Sequence, residues 1–161
     1  MAAFKTGGKK VGVIGATGAV GVEVVSCLAN EACKFQVSEL HLYASARSAG
    51  KKVETPFGEI EIELFSVEAA RTCDFVFMAV SGDFALEHAR NIAEGDGPYV
   101  IDNSSAFRYM EDVPLVVPEI NASAMQGAKL IANPNCTTAI AAVALWPLHL
   151  KYVMRIVCSC L

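Results

Sequence analysis

The fold of this 161-residue chain is decided by the stretch Val11-Gly12-Val13-Ile14-Gly15-Ala16-Thr17-Gly18-Ala19-Val20-Gly21. Its first four residues predict a short buried strand, and residues 22–28 continue as an apolar helix. Strand, glycine turn and helix are the context in which a glycine motif binds the phosphates of a dinucleotide. Gly15 permits the tight turn, Gly18 lets the backbone approach a pyrophosphate, and Gly21 lets helix and strand pack closely. A junction that uses glycine for packing alone is the alternative.

Helical and strand patterns alternate along the rest of the chain, with short connections between them. Further strands are predicted at 40–44, 57–64, 74–80, 99–102, 129–132 and 152–161, and helices at 66–72, 84–94 and 138–150. An extended segment at 115–121 ends in Asn121, which we expect to cap a short helix. This alternation predicts an α/β fold, a doubly wound Rossmann-like domain with a mostly parallel sheet. Ligands bind at the carboxyl ends of such strands, so we expect Ser81 and Gly82 to lie over the cofactor.

The loop after the second strand discriminates between the two nicotinamide cofactors. In a dinucleotide fold, an acidic residue at this place binds the ribose 2′-hydroxyl of NAD. This chain has no acid there, and Ser45, Arg47 and Ser48 follow the strand instead. A guanidinium group flanked by hydroxyls suits a 2′-phosphate, because its planar donors match the phosphate oxygens. The sequence therefore predicts NADP rather than NAD, with a solvated basic loop as the alternative.

A second strand–helix junction carries the residue best suited to covalent chemistry. Residues 133–138 read Asn-Pro-Asn-Cys-Thr-Thr. Pro134 cannot donate a backbone hydrogen bond and ends the preceding strand, while Asn135 is a good helix N-cap. Cys136 then falls in the first helical turn, where unpaired N–H groups and the helix dipole favour the nucleophilic thiolate. A small buried residue that closes the junction is the alternative.

Residues 102–108 read Asp-Asn-Ser-Ser-Ala-Phe-Arg and follow another predicted strand. An amide, hydroxyls and a guanidinium group at the carboxyl end of a strand form a set of donors that clamps an anion. We therefore predict that Asn103 and Arg108 bind an anionic substrate. A polar turn with an exposed arginine is an equally weighted alternative.

Composition excludes several classes of protein. The net charge is −4 and the pI is about 5.4, which argue against a nucleic acid or an anionic membrane surface as partner. No apolar stretch reaches the roughly 18 residues that a membrane span needs. Hydrophobic residues nevertheless make up 53% of the chain. This surplus predicts surfaces that another domain or subunit covers, and therefore either a homo-oligomer or an apolar surface left exposed in this shortened form of the chain.

The spacing of the cysteines and the composition of the first ten residues indicate the cellular compartment. The six cysteines contain no Cys-x-x-Cys pair, so we predict free thiols and no metal site. The first ten residues carry charges without an apolar core and do not form a secretory signal. A reducing cytoplasm is therefore the predicted location.

Five motifs together resemble the aspartate-β-semialdehyde dehydrogenase family. They lie at 13–21, 44–51, 102–108, 117–121 and 133–138, in family order and across almost the whole chain. The resemblance implies an NADP-dependent enzyme of the aspartate pathway to lysine, threonine and methionine. In the biosynthetic direction such an enzyme reduces L-aspartyl 4-phosphate to aspartate semialdehyde and releases phosphate.

The resemblance also implies roles for the residues at matching positions. Cys136 is then the nucleophile that forms a thioacyl intermediate, and Asn135 helps to hold the acyl group. Arg108, with Asn103 beside it, binds the substrate or phosphate anion. The implied cofactor-binding residues are Gly15, Thr17, Gly18, Ala19 and Val20 around the pyrophosphate and Ser45, Arg47 and Ser48 at the 2′-phosphate.

Family members are much longer, and their second domain carries a glutamine, a general-base histidine and an arginine that grips the substrate carboxylate. We predict that residues 1–151 form the NADP-binding domain and that residues 152–161 begin the second one. His149 lies 13 residues after Cys136 on one predicted helix, about 20 Å away at 1.5 Å per residue and too far for a general base. His41 and His88 are predicted to be structural. We therefore expect the chain alone to bind NADP without sustained turnover.

Two other functions stay open at this point. The first is a short NADP-binding module without catalysis, or a subunit whose partner supplies the missing half. The second is a relative of glyceraldehyde-3-phosphate dehydrogenase, since Cys-Thr-Thr occurs there as well. Arg47 and the Asn-Pro pair before Asn135 argue against the second.

Overall fold

A single seven-stranded sheet forms the centre of the molecule in the computed structural model, which describes residues 2–152 except 31 and 33. The strands are β1 (Lys9–Ile14), β2 (Val37–Ala44), β3 (Lys52–Thr55), β4 (Gly58–Leu64), β5 (Phe75–Met78), β6 (Tyr99–Asp102) and β7 (Leu130–Ala132). Their order across the sheet is β3-β4-β2-β1-β5-β6-β7. Every pair is parallel except the β3–β4 hairpin. The predicted doubly wound, mostly parallel α/β fold is therefore confirmed.

Five α-helices connect the strands in the described part of the chain. They are α1 (Ala19–Ala29), α2 (Val67–Ala70), α3 (Gly82–Ala93), α4 (Pro118–Asn121) and α5 (Cys136–Tyr152), and a 3₁₀ helix (Ala122–Met125) follows α4. Side-chain caps explain two of the helix starts. Ser66 accepts a hydrogen bond from the Ala69 N–H at the start of α2, and Ser81 accepts one from the Phe84 N–H at the start of α3.

The sheet buries a hydrophobic core on each face. Against α1 lies a cluster that includes Val11, Val13, Val25, Leu28 and Leu42. Against α2 and α3 lies a second cluster that includes Ile14, Tyr43, Val76, Ile92 and Phe107. Burial on both faces explains why the central strands are continuous apolar runs rather than alternating ones.

One strand was not predicted, and two local predictions were wrong. Residues 52–55 form strand β3 and pair with β4, because Gly58 adopts a positive φ of 105° that completes the turn between them. Asn121 does not cap the following 3₁₀ helix, because its side chain bonds back to the Val117 N–H and the Leu115 carbonyl. Tyr152 is the last residue of α5 rather than the first of a strand. The rest of that predicted strand, residues 153–161, lies outside the described residues.

Helix α5 differs from the other long helices in its surroundings. None of its described residues is buried, although most are apolar. Ile140 is 73% exposed and Leu150 is 67% exposed. Among the helices that the structure describes, α5 included, none combines the length and hydropathy that crossing a bilayer requires.

Candidate functional site

The carboxyl ends of five parallel strands bring the predicted site residues to one edge of the sheet. Across the sheet, Ser45 follows β2, Gly15 follows β1, and Ser81 comes shortly after β5. Asn103 then follows β6, and Asn133 follows β7. The chain winds outward in opposite directions from β1 and β5, so this edge contains the point where doubly wound folds bind their ligands.

The glycine turn, residues 15–18, is built by backbone packing. Gly15 has a φ of +83°, and a Cβ on it would lie 2.2 Å from the Ala79 carbonyl oxygen. A Cβ on Gly21 would lie 2.4 Å from the Gly15 carbonyl oxygen, where α1 meets the turn. A Cβ on Gly18 would touch only that same oxygen, at 3.4 Å. Gly15 and Gly21 therefore serve the fold, whereas Gly18 faces open space.

The unfilled space next to Gly18 adjoins the start of α1, where the first backbone N–H groups of that helix lie. Gly18 is the N-cap residue and supplies no side-chain cap. Thr17, Ala19 and Val20 are exposed around it. The first N–H groups of a helix have no intrahelical partner and attract anions, so this turn fits a pyrophosphate.

The loop after β2 is a compact turn fastened to the neighbouring strand. The N–H groups of Ser48 and Ala49 donate to the Ser45 carbonyl, at 2.9 and 3.1 Å. The Gly50 N–H donates to the Ile62 carbonyl of β4, at 2.8 Å. Arg47 is exposed on this turn and has no ion-pair partner in the described part of the chain. Its guanidinium group is thus available to an anionic ligand.

The start of α3 connects the glycine turn to the remaining site residues. The Ala79 N–H donates to the Ile14 carbonyl at 2.9 Å, which holds the end of β5 against the glycine turn. Gly82 opens α3, and a Cβ on it would lie 3.9 Å from the Ala106 Cβ and 4.0 Å from the Ser105 Oγ. Ser81 and Gly82 therefore lie between the two ends of the candidate site.

The cysteine turn, residues 133–136, places Cys136 as the first residue of α5. The Asn135 side chain accepts a hydrogen bond from the Thr137 N–H at 2.9 Å, and its carbonyl accepts one from the Ala139 N–H at 2.9 Å. These contacts are those of the predicted N-cap. Cys136 is exposed, and its Sγ lies 3.9 Å from the Asn135 Oδ1. The interpretation of Cys136 as a buried packing residue is therefore wrong.

Arg108 is held by two strand ends. Its Nε donates to the Asn133 carbonyl and its Nη2 donates to the Asn103 carbonyl, each at 3.0 Å. The Asn133 Nδ2 donates to the Asn103 Oδ1 at 2.8 Å. Among the described residues, the Arg108 Nη1 has no hydrogen-bond partner. The guanidinium group is thus fixed in position and keeps donors for an anion.

The loop between Asn103 and Arg108 is ordered by a buried carboxylate. Asp102 is fully buried and accepts hydrogen bonds from the Ser104 N–H at 3.1 Å and the Ser104 hydroxyl at 2.7 Å. The Ser104 Oγ in turn accepts a hydrogen bond from the Ala106 N–H at 3.1 Å. Sequence reasoning missed this role of Asp102, although Asp followed two residues later by Ser is a recognisable turn pattern.

Neither histidine outside α5 is near a reactive arrangement. The His41 Nδ1 lies 2.8 Å from a Glu63 oxygen. His88 packs against the rings of Phe84 and Phe65, at 4.4 and 5.1 Å between centroids. His149 lies near the end of α5, stacked on Trp146, while Cys136 begins the same helix. These contacts agree with the predicted structural roles of His41 and His88.

The other described cysteines are less suited to nucleophilic attack. Burial raises the pKa of the Cys73 thiol, which packs 3.9 Å from the Tyr43 hydroxyl. Burial likewise raises the pKa of that tyrosine. Cys27 is exposed near the end of α1, where the helix dipole is negative. Within the described residues, no cluster of three or more His, Cys, Asp or Glu could hold a metal ion.

Comparison with known proteins agrees with this arrangement. Residues 10–128 match the family described as semialdehyde dehydrogenase, NAD binding domain. The chain belongs to this family. An aspartate-semialdehyde dehydrogenase of Synechocystis is 45% identical over 150 residues, which are 92% of this chain and 44% of that protein. The chain therefore spans about half the length of the curated relatives it matches, and its domain binds a nicotinamide cofactor.

Two solved structures extend the comparison. The aspartate semialdehyde dehydrogenase II of Vibrio cholerae, complexed with ASA, has a TM-score of 0.78 and 36% identity over 88% of this chain and 46% of that chain. The Candida albicans enzyme, solved with NADP, has a TM-score of 0.72 and 30% identity over 90% of this chain and 48% of that chain. The predicted family resemblance is confirmed, and the glyceraldehyde-3-phosphate dehydrogenase alternative is not favoured.

Proposed function

We propose that this chain is the cofactor-binding and nucleophile-bearing part of an NADP-dependent aspartate-semialdehyde dehydrogenase. The reaction is the reduction of L-aspartyl 4-phosphate to aspartate semialdehyde with release of phosphate. One observation carries the proposal: an exposed cysteine opens a helix at the same sheet edge as a dinucleotide-type glycine turn and a fixed arginine. The relatives named above support the choice of substrate.

Cys136 would attack the carbonyl carbon of the acyl phosphate. A C–S bond forms, the bond from carbon to the phosphate oxygen breaks, and phosphate leaves with the electron pair. The attacking sulfur lies at the start of α5, beside the first N–H groups and the positive end of the helix dipole. Asn135 would hold the acyl group beside the sulfur, since its Nδ2 has no hydrogen-bond partner among the described residues.

Arg108 and Asn103 would bind the anionic phosphate. The guanidinium group is anchored to two backbone carbonyls, so little side-chain entropy is lost when an anion binds. When bound, the reduced nicotinamide supplies the hydride that converts the thioacyl carbon to an aldehyde. Breakage of the C–S bond then returns the Cys136 thiolate, so this direction needs no proton at sulfur.

The glycine turn would hold the pyrophosphate, with Gly15, Thr17, Gly18, Ala19 and Val20 around it and Ser81 and Gly82 beyond it. Ser45, Arg47 and Ser48 would bind the 2′-phosphate of NADP. Support for NADP over NAD comes from the absence of an acidic residue in the turn at 45–50 and from the exposed Arg47. The Candida albicans relative, solved with NADP, points the same way.

Helix α5 has an exposed apolar side, which the same proposal explains as a surface covered in the complete enzyme. On that side, Ile140 and Val143 line an apolar groove of about 490 Å³ together with Val116, Val117 and Pro118. We propose that residues 1–151 form the NADP-binding domain and that the complete enzyme is a homo-oligomer. Its partners are then a small-molecule substrate and phosphate, and its predicted location is the cytoplasm.

The first half of the reaction gives a direct test. The chain is incubated with L-aspartyl 4-phosphate in the absence of cofactor, and intact-mass spectrometry follows the mass while a colorimetric assay follows phosphate. We expect one aspartyl adduct and one phosphate per chain, with the adduct mapped to Cys136. The matched control is Cys136→Ser, which should give no adduct and no phosphate beyond that released by the acyl phosphate in the absence of protein. An adduct spread equally over Cys27 and Cys136, or none at all, would contradict the assignment.

A further inference from the structure

Asn133 was not predicted to belong to the site, yet it completes a ring of hydrogen bonds with two residues that were. Its side-chain Nδ2 donates to the Asn103 Oδ1 at 2.8 Å. Its backbone carbonyl accepts from the Arg108 Nε, and the Asn103 carbonyl accepts from the Arg108 Nη2, each at 3.0 Å. The ring therefore joins the ends of β6 and β7 through one guanidinium group and one amide pair.

The sheet anchors this ring. The Asn133 N–H donates to the Asp102 carbonyl at 2.8 Å, and the Asn103 N–H donates to the Met78 carbonyl at 3.0 Å. Each asparagine thus continues the sheet pairing one residue beyond its strand. Asn133 holds Arg108 through its backbone alone, so its side chain acts only on Asn103. A substitution of that side chain therefore leaves both anchors of Arg108 in place.

The contact between the two amides decides which atoms Asn103 offers to a ligand. An asparagine amide has a carbonyl oxygen on one side and an NH₂ group on the other. Because the Asn103 Oδ1 accepts from Asn133, the Asn103 Nδ2 is directed away from Asn133 and has no partner among the described residues. It keeps two donors, and the Arg108 guanidinium group is bonded to the backbone carbonyl of the same asparagine. The reversed amide would present a carbonyl oxygen, which repels an anion.

We propose that Asn133 is a positioning residue that locks the Asn103 amide with its NH₂ group, rather than its carbonyl oxygen, toward the anionic group of the substrate. This inference rests on the proposed role of Arg108 and Asn103 in anion binding. Asn133 touches neither the substrate nor the reacting atoms. Its contribution passes entirely through Asn103, which makes it measurable by a double-mutant cycle.

The test uses the full chain labelled with ¹⁵N and inorganic phosphate as the probe. Backbone amide signals of residues 103–108 are followed by NMR during the phosphate titration, for the wild type, Asn133→Leu, Asn103→Leu and the double variant, and the side-chain amide signals of Asn103 and Asn133 are followed wherever that asparagine is present. We expect Asn133→Leu to weaken phosphate binding about 2- to 10-fold, the range for loss of one oriented hydrogen bond. In the Asn103→Leu background it should cause no further loss.

Matched controls separate this proposal from a structural role and from the proposed function. Asn91→Leu removes an exposed asparagine on α3 whose side chain contacts only the Glu87 carbonyl, at 3.4 Å, and should leave phosphate binding unchanged. Equal melting temperatures and NADP affinities show that the variants are folded. Additive losses in the cycle, or unchanged binding in Asn133→Leu, would overturn the role of Asn133 while that of Arg108 stands. Unchanged binding in Arg108→Ala would overturn both.

One measurement on the wild type alone also decides the matter. The Asn133 NH₂ group should exchange slowly with solvent, because one of its protons is held by Asn103. The Asn103 NH₂ signals should move when phosphate is added. Fast exchange at Asn133, or no response at Asn103 while Arg108 responds, would overturn the proposal even if every variant failed to fold.

Discussion

The glycine turn and the cysteine turn both connect a strand to a helix at the candidate site, but different interactions stabilise them. In the glycine turn, backbone packs directly on backbone, and the following α1 buries Gly21, Val25 and Leu28. In the cysteine turn, exposed asparagine side chains are held by hydrogen bonds, and the following α5 buries none of its described residues. The first junction gains its rigidity from close packing and the second from polar contacts near solvent.

This difference predicts where substitutions are costly. Close packing tolerates almost no added volume, because displaced backbone has nowhere to move. Exposed hydrogen bonds contribute about 0.5–1.5 kcal/mol each to stability, so single changes in the cysteine turn should leave the fold intact. Substitutions in the glycine turn should therefore act on stability, and those in the cysteine turn should act on chemistry.

The largest expected effect is that of Gly15→Ala. The new Cβ would lie 2.2 Å from the Ala79 oxygen at a backbone φ of +83°, so clash and strain combine. We expect the free energy of unfolding to fall by about 2–5 kcal/mol, measured by urea denaturation.

Gly50→Ala is the matched control, because Gly50 has a φ of +80° with nothing within 4 Å of the added Cβ. This variant should lower the free energy of unfolding by about 1–2 kcal/mol, the strain of a left-handed backbone conformation alone. Equal losses in the two variants would mean that close packing at the glycine turn contributes nothing beyond backbone conformation.

Arg47→Ala should have the next largest effect, on the affinity for NADP. The guanidinium group would lose charge-assisted hydrogen bonds to the 2′-phosphate, about 1.5–3 kcal/mol or roughly 10- to 150-fold in affinity. NAD lacks that phosphate, so its affinity should change less than twofold. Calorimetric titration of both cofactors measures the difference. Lys51→Ala, a change of charge in the same loop, should spare the preference for NADP, and equal losses for NADP and NAD would remove the 2′-phosphate assignment.

Cys136 should react with iodoacetamide about tenfold faster than Cys27 near neutral pH, because only Cys136 lies at the positive end of a helix. Cys73 should be slowest, since burial both covers its thiol and raises its pKa. Peptide mass spectrometry after timed alkylation gives the three rates separately. If Cys27 and Cys136 reacted at the same rate, the cysteine turn would hold an ordinary exposed thiol.

The regular part of the fold could be predicted because its signals are local. The apolar runs of β1, β5 and β6, and the glycine turn that follows β1, each announce a buried strand or a tight turn. Strand β3 was missed because its sequence, Lys-Val-Glu-Thr, is short, charged and half exposed at the edge of the sheet. Its pairing depends on the turn at Gly58, whose positive φ is a tertiary feature that composition does not reveal.

Features of the site that depend on one motif could be predicted, but the hydrogen bonds between residues of different motifs could not. Asn135 as an N-cap follows from the residue type and the helix that comes after it. The ring that joins Asn103, Arg108 and Asn133 depends on β6 and β7 being neighbours, which the sequence does not state. One signal was available: both asparagines come one residue after a buried strand, and adjacent parallel strands bring such positions together.

Ile140→Ala in α5 should have the smallest effect. The Ile140 side chain is 73% exposed, so its truncation should change the free energy of unfolding by less than about 0.5 kcal/mol. Leu28→Ala is the comparison in α1, where the side chain is only 9% exposed and the expected loss is about 2–4 kcal/mol. Urea denaturation of both variants, at several protein concentrations, makes the measurement. A large, concentration-dependent loss in Ile140→Ala would show that another copy of the chain already covers α5, and the two junctions would then differ less than their structures indicate.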